Sequence, residues 1–514
     1  MNKKNATPRT APTIVYQPAL RPALPCVYGP VDFRDYRDRL VTIDQMLLEG
    51  GVEAVFIQAA VAESSAEWAA ASASQLQRFA RHSVLALRCN VARLLTGLSY
   101  RDFAVRCAES GLLQWFLRIS EVDMVRVPCK SALERYSTWV NKETMTQIHL
   151  KLVTQAVAPA SADTPQPLNL IEAVDAADVF FDSTCLKANI HYPVDWVLLR
   201  DATRTLMKAT VLIRRAGLKQ RMPQEPLRFL SDMNKLAMAM SASGRRPDAK
   251  KHRKRVLRQM KTLQQKVTRH AQAHRDLLLA RRAETGLSEK QAQVILERID
   301  NVLTQLPAAI HQAHERIIGE RPVANAEKIL SLYERDVEVL KRGKAGAEVE
   351  FGNKLWLGET RAGLIVDWEL QEKAEADTAL VVPAMDRLKK MKIKVQQAWG
   401  DRGLFSKKNE KQLAKRDIKS GLCPRDPAEL KRRLDEEPEF RTGLRRRGGT
   451  EARIAIFKHA FTGSPCQTKG IAARKLAVSW AVLAHNLWVL ARLKLAQDKA
   501  AVEAAEAAAK KKVA

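Results

Sequence analysis

ADVFFDSTCLKANI, residues 177–190, is the stretch on which the fold turns. Val179, Phe180 and Phe181 crowd β-branched and aromatic side chains ahead of Asp182, the composition of a strand. Immediately afterwards the period changes. Leu199, Ala202, Leu206, Ala209 and Ile213 recur every three or four residues, which predicts a helix ending at Gly217. Two more long helices follow, one through Val256, Met260, Leu263 and Val267. The other opens on Ser288 and Gln291 as a capping box and runs through Ile295, Ile299, Val302, Leu306, Ile310, Ala313 and Ile317. Pro307 lies inside that last helix, where it is expected to kink it. Strand patterning then returns in AEVEFGNKLWLGE (347–359) and AGLIVDWELQE (362–372), joined near Arg361–Gly363. TALVVPAMDRLKKM (378–391) reads as a helix, IKVQQAWGD (393–401) as a strand ending at Asp401, and IAIFKHAF after Glu451 as helix again. Strand, helical excursion, two strands, helix, strand, helix is a mixed α/β order, and a mixed sheet flanked by helices satisfies it.

Outward from this core the chain is helical. Leu40, Ile43 and Leu47 start a helical region, and Gly97 followed by Ser99 and Asp102 marks one helix stop and the next start. Ser131 and Glu134 repeat that capping signature. Such a set of short helices serves either as a module that offers one helix to a DNA groove or as a plain bundle. Six prolines within residues 1–32 predict an extended, poorly ordered arm, and AVAPASADTPQPL (156–168) a linker. ARKLAVSWAVLAHNLWVLARLKLA (473–496) is apolar on more than one face and is expected to lie in the core, with 499–514 a fraying or disordered tail. The resulting division is an arm at 1–32, an all-α domain at 33–155, an α/β domain at 169–200 and 327–498, and a helical insertion at 201–326. The whole is helix-rich.

Charge narrows the function. Lys and Arg outnumber Asp and Glu by 86 to 57, a net +29. A protein this basic most often meets a polyanion. Between Arg245 and Arg255 the positions Arg245, Arg246, Lys250, Lys251, Arg253, Lys254 and Arg255 are basic, opposed only by Asp248. That run suits a clamp on a DNA backbone; the plainer reading is a solvated flank. The apolar seam of the same helix, spaced roughly as heptads, also suits pairing with a neighbouring helix or a second subunit. Seven cysteines without a CxxC pair argue for reduced thiols inside the cell and against a zinc site. The N-terminus lacks the apolar stretch of a signal peptide, no run is expected to reach the length of a membrane span, and a cytoplasmic, nucleoid-associated protein is expected.

Three acidic residues stand in settings that suit metal ligands: Asp182 on the first strand, Asp401 at the end of a later one, and Glu451 on a helix between basic residues. Carboxylates on neighbouring strands can hold two hard divalent ions roughly 3.5–4 Å apart, the arrangement for in-line phosphoryl displacement. The plainer reading of each is a cap or turn residue. Asp367, Glu369, Glu348 and Glu350 compete for the same role.

The ordered set of segments resembles the insertion-sequence transposases that carry an RNase H-like catalytic domain and a DDE triad, of the IS-five-like and ISNCY-type groups. FFDSTCLKANIHYPVD (180–195) is similar to their first-Asp motif, WGDRGLFSKKN (399–409) to the second, and RRRGGTEARIAIFKHAF (445–461) to the third. In the third, Arg447, Glu451 and Lys458 reproduce an Arg-x3-Glu-x6-Lys spacing. LSLYERDVEVLKRGKAGAEVEFGNKLWL (330–357), WAVLAHNL (480–487) and GLSYRDFAVRCAESGLLQWFLRI (97–119) resemble further segments of the group. Leu444 stands where the wider signature has Tyr, and Leu404 where it has Phe. The resemblance implies that Asp182, Asp401 and Glu451 bind two Mg2+ or Mn2+ ions and that Arg447 and Lys458 hold phosphates at the transposon ends. Its partners would be double-stranded DNA, as terminal inverted repeats and target, and a second copy of the chain assembled on that DNA. The alternatives are a transposase-derived DNA-binding protein without catalysis and a nuclease on the same fold.

Overall fold

In the first strand, alternate side chains sort Phe180, Asp182 and Thr184 to one face and Phe181, Ser183 and Cys185 to the other, so one short segment seeds both layers around a sheet. The computed structural model describes residues 13–18, 21, 23–24, 28–64, 68, 71–120, 124–160, 166–344 and 347–513. Helices α1 (Val31–Glu49), α2 (Val52–Glu63), α3 (Ala73–Thr96), α4 (Tyr100–Glu109), α5 (Gly111–Leu117), α6 (Lys130–Tyr136) and α7 (Lys142–Val157) precede strand β1 (Asp178–Lys187). Then come α8 (Asp195–Arg215), α9 (Pro226–Ala242), α10 (Ala249–Arg281) and α11 (Glu289–Ala313). Strands β2 (Glu338–Lys344), β3 (Ala347–Thr360) and β4 (Ile365–Leu370) lead to α12 (Asp377–Lys390), β5 (Gln397–Gly400), α13 (Lys407–Ala414) and β6 (Lys419–Leu422). Finally α14 (Pro427–Glu436), α15 (Pro438–Ile456) and α16 (Ile471–Val513) close the described chain.

The protein is helix-rich around a mixed six-stranded sheet of order β2-β3-β1-β5-β6, with β4 also paired to β3. β1, β5 and β6 run parallel, and β3 is antiparallel to β2 and β4. The chain divides into two compact units, one of residues 1–186 and 354–514 and one of residues 187–353.

In the first unit, helices of residues 31–157 and the sheet share a single apolar core, from Leu40 and Phe56 through Val179 and Phe181 to Leu483 and Leu487. At its helical end Arg88 is fully buried, its guanidinium 2.5 Å from Asp44 and 2.6 Å from Glu53, with a further bond to the Phe116 carbonyl. The described part of the proline-rich arm is extended and tied down: Ile14 is buried, and Arg21 pairs with Asp44 and lies over the Trp115 ring. The expected disorder of the arm otherwise falls on residues 1–12 and others outside those described, as do residues 161–165 of the expected linker.

Helix punctuation follows the chemistry of the caps. Gly97 in the left-handed region ends α3, and the Ser99 hydroxyl accepts the Asp102 amide to start α4. The expected cap at Ser131 is displaced: α6 starts at Lys130 with Cys129 as its cap, and Glu134 is drawn to Lys130 at 3.2 Å instead. α16 corrects a second expectation. It is long and apolar enough to cross a membrane, but its apolar stretch is mostly buried in the core of this unit. The tail beyond residue 499 continues as helix to Val513 and is exposed through Lys510. Asn486 of α16 accepts the Ile365 amide at 2.9 Å and donates to the Ile365 carbonyl at 2.7 Å, bonding both backbone groups of one β4 residue.

The second unit is a helical assembly of α8 to α11 around Leu199, Leu206, Met233, Met260, Val267, Ile299 and Leu306. It begins and ends outside the expected limits of 201–326, because the last residue of β1, β2 and the first part of β3 belong to it. The seam Val256, Met260 and Val267 is buried within this unit's own core. Ser288 forms the expected capping box, and the helix stays α-helical through Pro307 to Ala313 before a π turn at His314–Ile318.

Candidate active site

Parallel pairing of β1 with β5 sets Phe180 opposite Trp399, and two residues further on stand Asp182, still within β1, and Asp401, just past the end of β5. Asp401 stands one residue beyond β5, which is shorter than the expected 393–401, and its Oδ1 accepts the Leu404 amide at 3.2 Å in the turn that follows. Gly403 keeps that turn close: a Cβ there would lie 3.0 Å from Asp401 Oδ1 and 3.5 Å from Asp377 Oδ2.

α15 supplies the third carboxylate. The helix is seated on the strands by aromatic packing of Phe440 against Trp399, which in turn stacks on Phe180 with centroids 5.8 Å apart. Gly443 meets the Trp399 ring so closely that a Cβ would come 1.9 Å from it. Glu359 on β3 then holds one side of the helix. Its Oε1 takes the Thr450 hydroxyl at 2.9 Å, Arg453 at 3.1 Å and Arg446 at 3.3 Å, and Arg446 also donates to the carbonyls of Thr360 and Arg361. Burial pushes the Glu359 carboxyl up to about 7, against the pull of Arg453 and the Thr450 hydroxyl.

With Arg446, Thr450 and Arg453 turned to Glu359, the adjacent stripe of α15 presents Arg447 and Glu451 to the strands. Arg447 Nη2 lies 3.5 Å from Asp182 Oδ2 and 3.6 Å from Glu451 Oε1, bridging the two carboxylates. Asp182 is largely buried while Glu451 is 62% exposed. Burial raises the Asp182 carboxyl to about 6; Arg447 and the Ser183 amide at 2.7 Å pull it down, and the charges of Asp401 and Glu451 push it up. The helix widens to a π turn over Phe457–Thr462, and Lys458 donates to the buried Thr184 hydroxyl at 3.2 Å, on the β1 face that carries Asp182. Arg447, Glu451 and Lys458 are thus brought to the β1 face that carries Asp182, and Asp401 stands close enough for its charge to bear on Asp182.

As the side chains stand, no three Asp, Glu, His or Cys donors among the described residues converge closely enough to share one metal ion. The donor set nonetheless fits hard divalent cations. It is all carboxylate oxygen, the central member is buried against two like charges, and the cation between Asp182 and Glu451 is a guanidinium. Of the four competing carboxylates Glu348 is exposed and the other three have partners elsewhere. Asp367 accepts Trp356 Nε1 at 2.8 Å and Arg387 at 2.6 Å, Glu369 shares Arg387, and Glu350 pairs with Lys187.

A second polar cluster escaped the sequence reading. On the opposite face of β1 the Ser183 hydroxyl donates to Asp377 Oδ1 at 3.0 Å, which also takes Lys354 at 2.8 Å. It ties β1, β3 and the first turn of α12 together behind Asp182. Its only trace in the sequence is the short side chain of Ser183 next to the catalytic candidate.

In the second unit the basic run divides. Lys250 and Lys254 lie 3.2 and 2.8 Å from Glu320, and Arg246 lies 2.8 Å from Asp248. Arg253 is partly buried, its Nε enclosed and its guanidinium over Gly244. Arg245, Lys251 and Arg255 are exposed. Comparison of the chain with protein-family descriptions, with curated proteins and with solved structures finds no match to any of them.

Proposed function

We propose that this chain is a DDE-type DNA transposase whose first unit is an RNase H-like nuclease and strand transferase. The observation that carries the reading is that Arg447 bridges Asp182 and Glu451 while the charges of Asp401 and Glu451 both bear on the buried Asp182, three acids far apart in sequence. Asp182, Asp401 and Glu451 would hold Mg2+ or Mn2+. Two such ions, when bound, would activate water or a 3′-hydroxyl for attack on a phosphodiester and steady the leaving oxygen.

The residues of the chain do the rest. Asp182 and Asp401 are fixed by backbone amides of Ser183 and Leu404, so their oxygens are aimed without further ordering. Glu451, exposed and held among the described residues by Arg447 alone, has the freedom to move inward. Arg447 neutralises the carboxylates in the resting arrangement and is the nearest donor fork for a phosphate once other cations take that place. Lys458 stands two β1 residues from Asp182 and would hold a flanking phosphate. The Ser183 hydroxyl, which donates to Asp377, lies on the face of β1 opposite Asp182, so direct phosphoryl transfer is favoured over a covalent protein–DNA intermediate. The partners would be duplex DNA, as transposon ends and target, and a second copy of the chain assembled on it.

The test is end cleavage of labelled repeat DNA by purified protein with Mg2+ or Mn2+, and with EDTA. Metal-dependent nicking that leaves a 3′-hydroxyl, lost in Asp182→Asn with binding retained, supports the proposal. Cleavage that persists in EDTA, or DNA trapped covalently on the protein, overturns it. Binding without any cleavage assigns the chain to the non-catalytic alternative.

A further inference from the structure

We infer that the outward face of α10 is a docking stripe for the phosphate backbone of duplex DNA, formed by Lys251, Arg255, Arg258, Lys266 and Arg269. The inference rests on the nucleic-acid reading above and is independent of the chemistry at Asp182. α10 carries eleven Lys or Arg against one acid, Asp276. Its inner face is spent on the core: Val256, Met260, Val267, Ala271 and Leu278 are buried. Some of its cations are spent on neighbours, Lys250 and Lys254 on Glu320, and Arg275 on Asp300 at 2.6 Å.

The five proposed residues differ on both counts. All are exposed, and among the described residues none is paired with a carboxylate. Their positions i, i+4, i+7, i+15 and i+18 return to one side of a helix with 3.6 residues per turn, the side opposite the buried positions. Thr262 fills the gap at i+11, its hydroxyl turned back to the Arg258 carbonyl. Lys235 of α9 faces Arg258 and Lys266 across a shallow groove of about 540 Å3 that runs along the same side, with Asp232 as its one acid, held 3.8 Å from Arg228.

Length and composition select the ligand. From Lys251 to Arg269 the helix rises about 27 Å at 1.5 Å per residue, about eight base pairs of duplex at 3.4 Å each. A membrane surface would call for apolar side chains between the cations. The stripe itself offers none, its remaining position being Thr262, and the two leucines of the adjoining groove, Leu236 and Leu263, are half-buried. Of the sequence triplet Arg253, Lys254 and Arg255, only Arg255 is free to take part.

The experiment measures duplex affinity of the full-length protein across a salt series in EDTA. One variant combines Lys251→Gln, Arg255→Gln, Arg258→Gln and Lys266→Gln. A second removes the same charge elsewhere on the helix, with Lys250→Gln, Lys254→Gln, Arg275→Gln and Arg281→Gln. The stripe variant should flatten the dependence of log affinity on log salt by about 3 to 4, near 0.9 for each lost phosphate contact. The second should change it by less than about 1 on the same scale. A slope equal to wild type in the stripe variant, or equal flattening in both, overturns the stripe. Wild-type protein that does not bind duplex at all overturns the nucleic-acid reading itself. A variant-free measurement covers misfolding: duplex should protect Lys251 and Lys266 from acetylation and leave Lys250 and Lys254 unchanged. Protection by anionic vesicles but not by duplex would also overturn the assignment.

Discussion

Gly443 and Trp399 meet so closely that the helix of one and the strand of the other have room for a hydrogen atom and nothing larger: a Cβ at Gly443 would stand 1.9 Å from the indole ring. Since Trp399 ends two residues before Asp401 and Gly443 lies two turns before Glu451, this contact sets how far two of the three candidate ligands are apart. Gly443→Ala should push α15 away from β5. Stability should fall by about 1–3 kcal/mol, the usual cost of overpacking a core, and metal-dependent cleavage should fall further than the melting temperature accounts for at the assay temperature. Thermal melts and cleavage rates on the same preparation check this. Unchanged cleavage in a stable Gly443→Ala protein would detach Glu451 from the site.

Asp182 should give the protein a pH signature even without metal. Its carboxyl is raised to about 6, chiefly by burial. A raised carboxyl contributes stability in full below the unfolded value near 3.8, and that contribution is lost as pH rises through about 6. In EDTA, Asp182→Asn should therefore melt higher than wild type at pH above 7, by an amount on the order of 1–3 kcal/mol. The difference should shrink as the pH is lowered toward the unfolded value. Metal affinity of wild type should move the opposite way, weakening as pH falls through the same range because the ligand must be ionised. A melting difference independent of pH would remove Asp182 from its assigned environment.

Glu359 never touches the reacting face, yet its loss should be costly. Glu359→Ala removes the acceptor shared by Thr450, Arg446 and Arg453 and strands two cations against the sheet. Breaking a buried pair of this kind costs about 3–5 kcal/mol. Arg453 is one-third exposed, which sets the expectation at the lower end. Chemical denaturation reads this directly, and Arg453→Ala alone should cost clearly less.

Lys458→Ala separates phosphate holding from general attraction. The side chain bonds Thr184 beside Asp182, one contact among many basic ones. Cleavage should slow by tenfold or more while duplex affinity changes by less than about threefold, near 0.6 kcal/mol. Equal losses in both would make Lys458 an ordinary member of the basic surface.

Much of this site is legible in the chain because its two aspartates follow strand-like runs. The aromatic run before Asp182 and the apolar run before Asp401 both read as strands, and parallel pairing then has little choice but to bring the two acids together. The helical spacing of Arg447 and Glu451 is equally visible. What sequence does not reveal is which neighbour of a repeated residue turns inward. In Arg445–Arg446–Arg447, Arg446 goes to Glu359 and Arg447 to Asp182, a division set by the rotation of α15 on the sheet. Short strands fail for another reason. β6 has only Gly421 and Leu422 buried, too little pattern for a period, and its neighbours α13 and α14 are polar on most faces. The limits of the helical insertion are misplaced because β3 passes from one unit into the other without a break in its pattern.

β4 pairs with β3 alone, so its other side would be an open row of donors and acceptors. Asn486 answers one residue of that row with a side-chain amide that offers both a donor and an acceptor, as a strand residue would. The consequence concerns solubility rather than catalysis. A side chain that imitates a strand occupies the position where another chain's strand would begin to add, which is how exposed edges seed aggregates. Asn486→Leu keeps the apolar packing of α16 but opens that position, so its mark should be light scattering during refolding at high protein concentration, with the cleavage activity of the molecules that escape left intact.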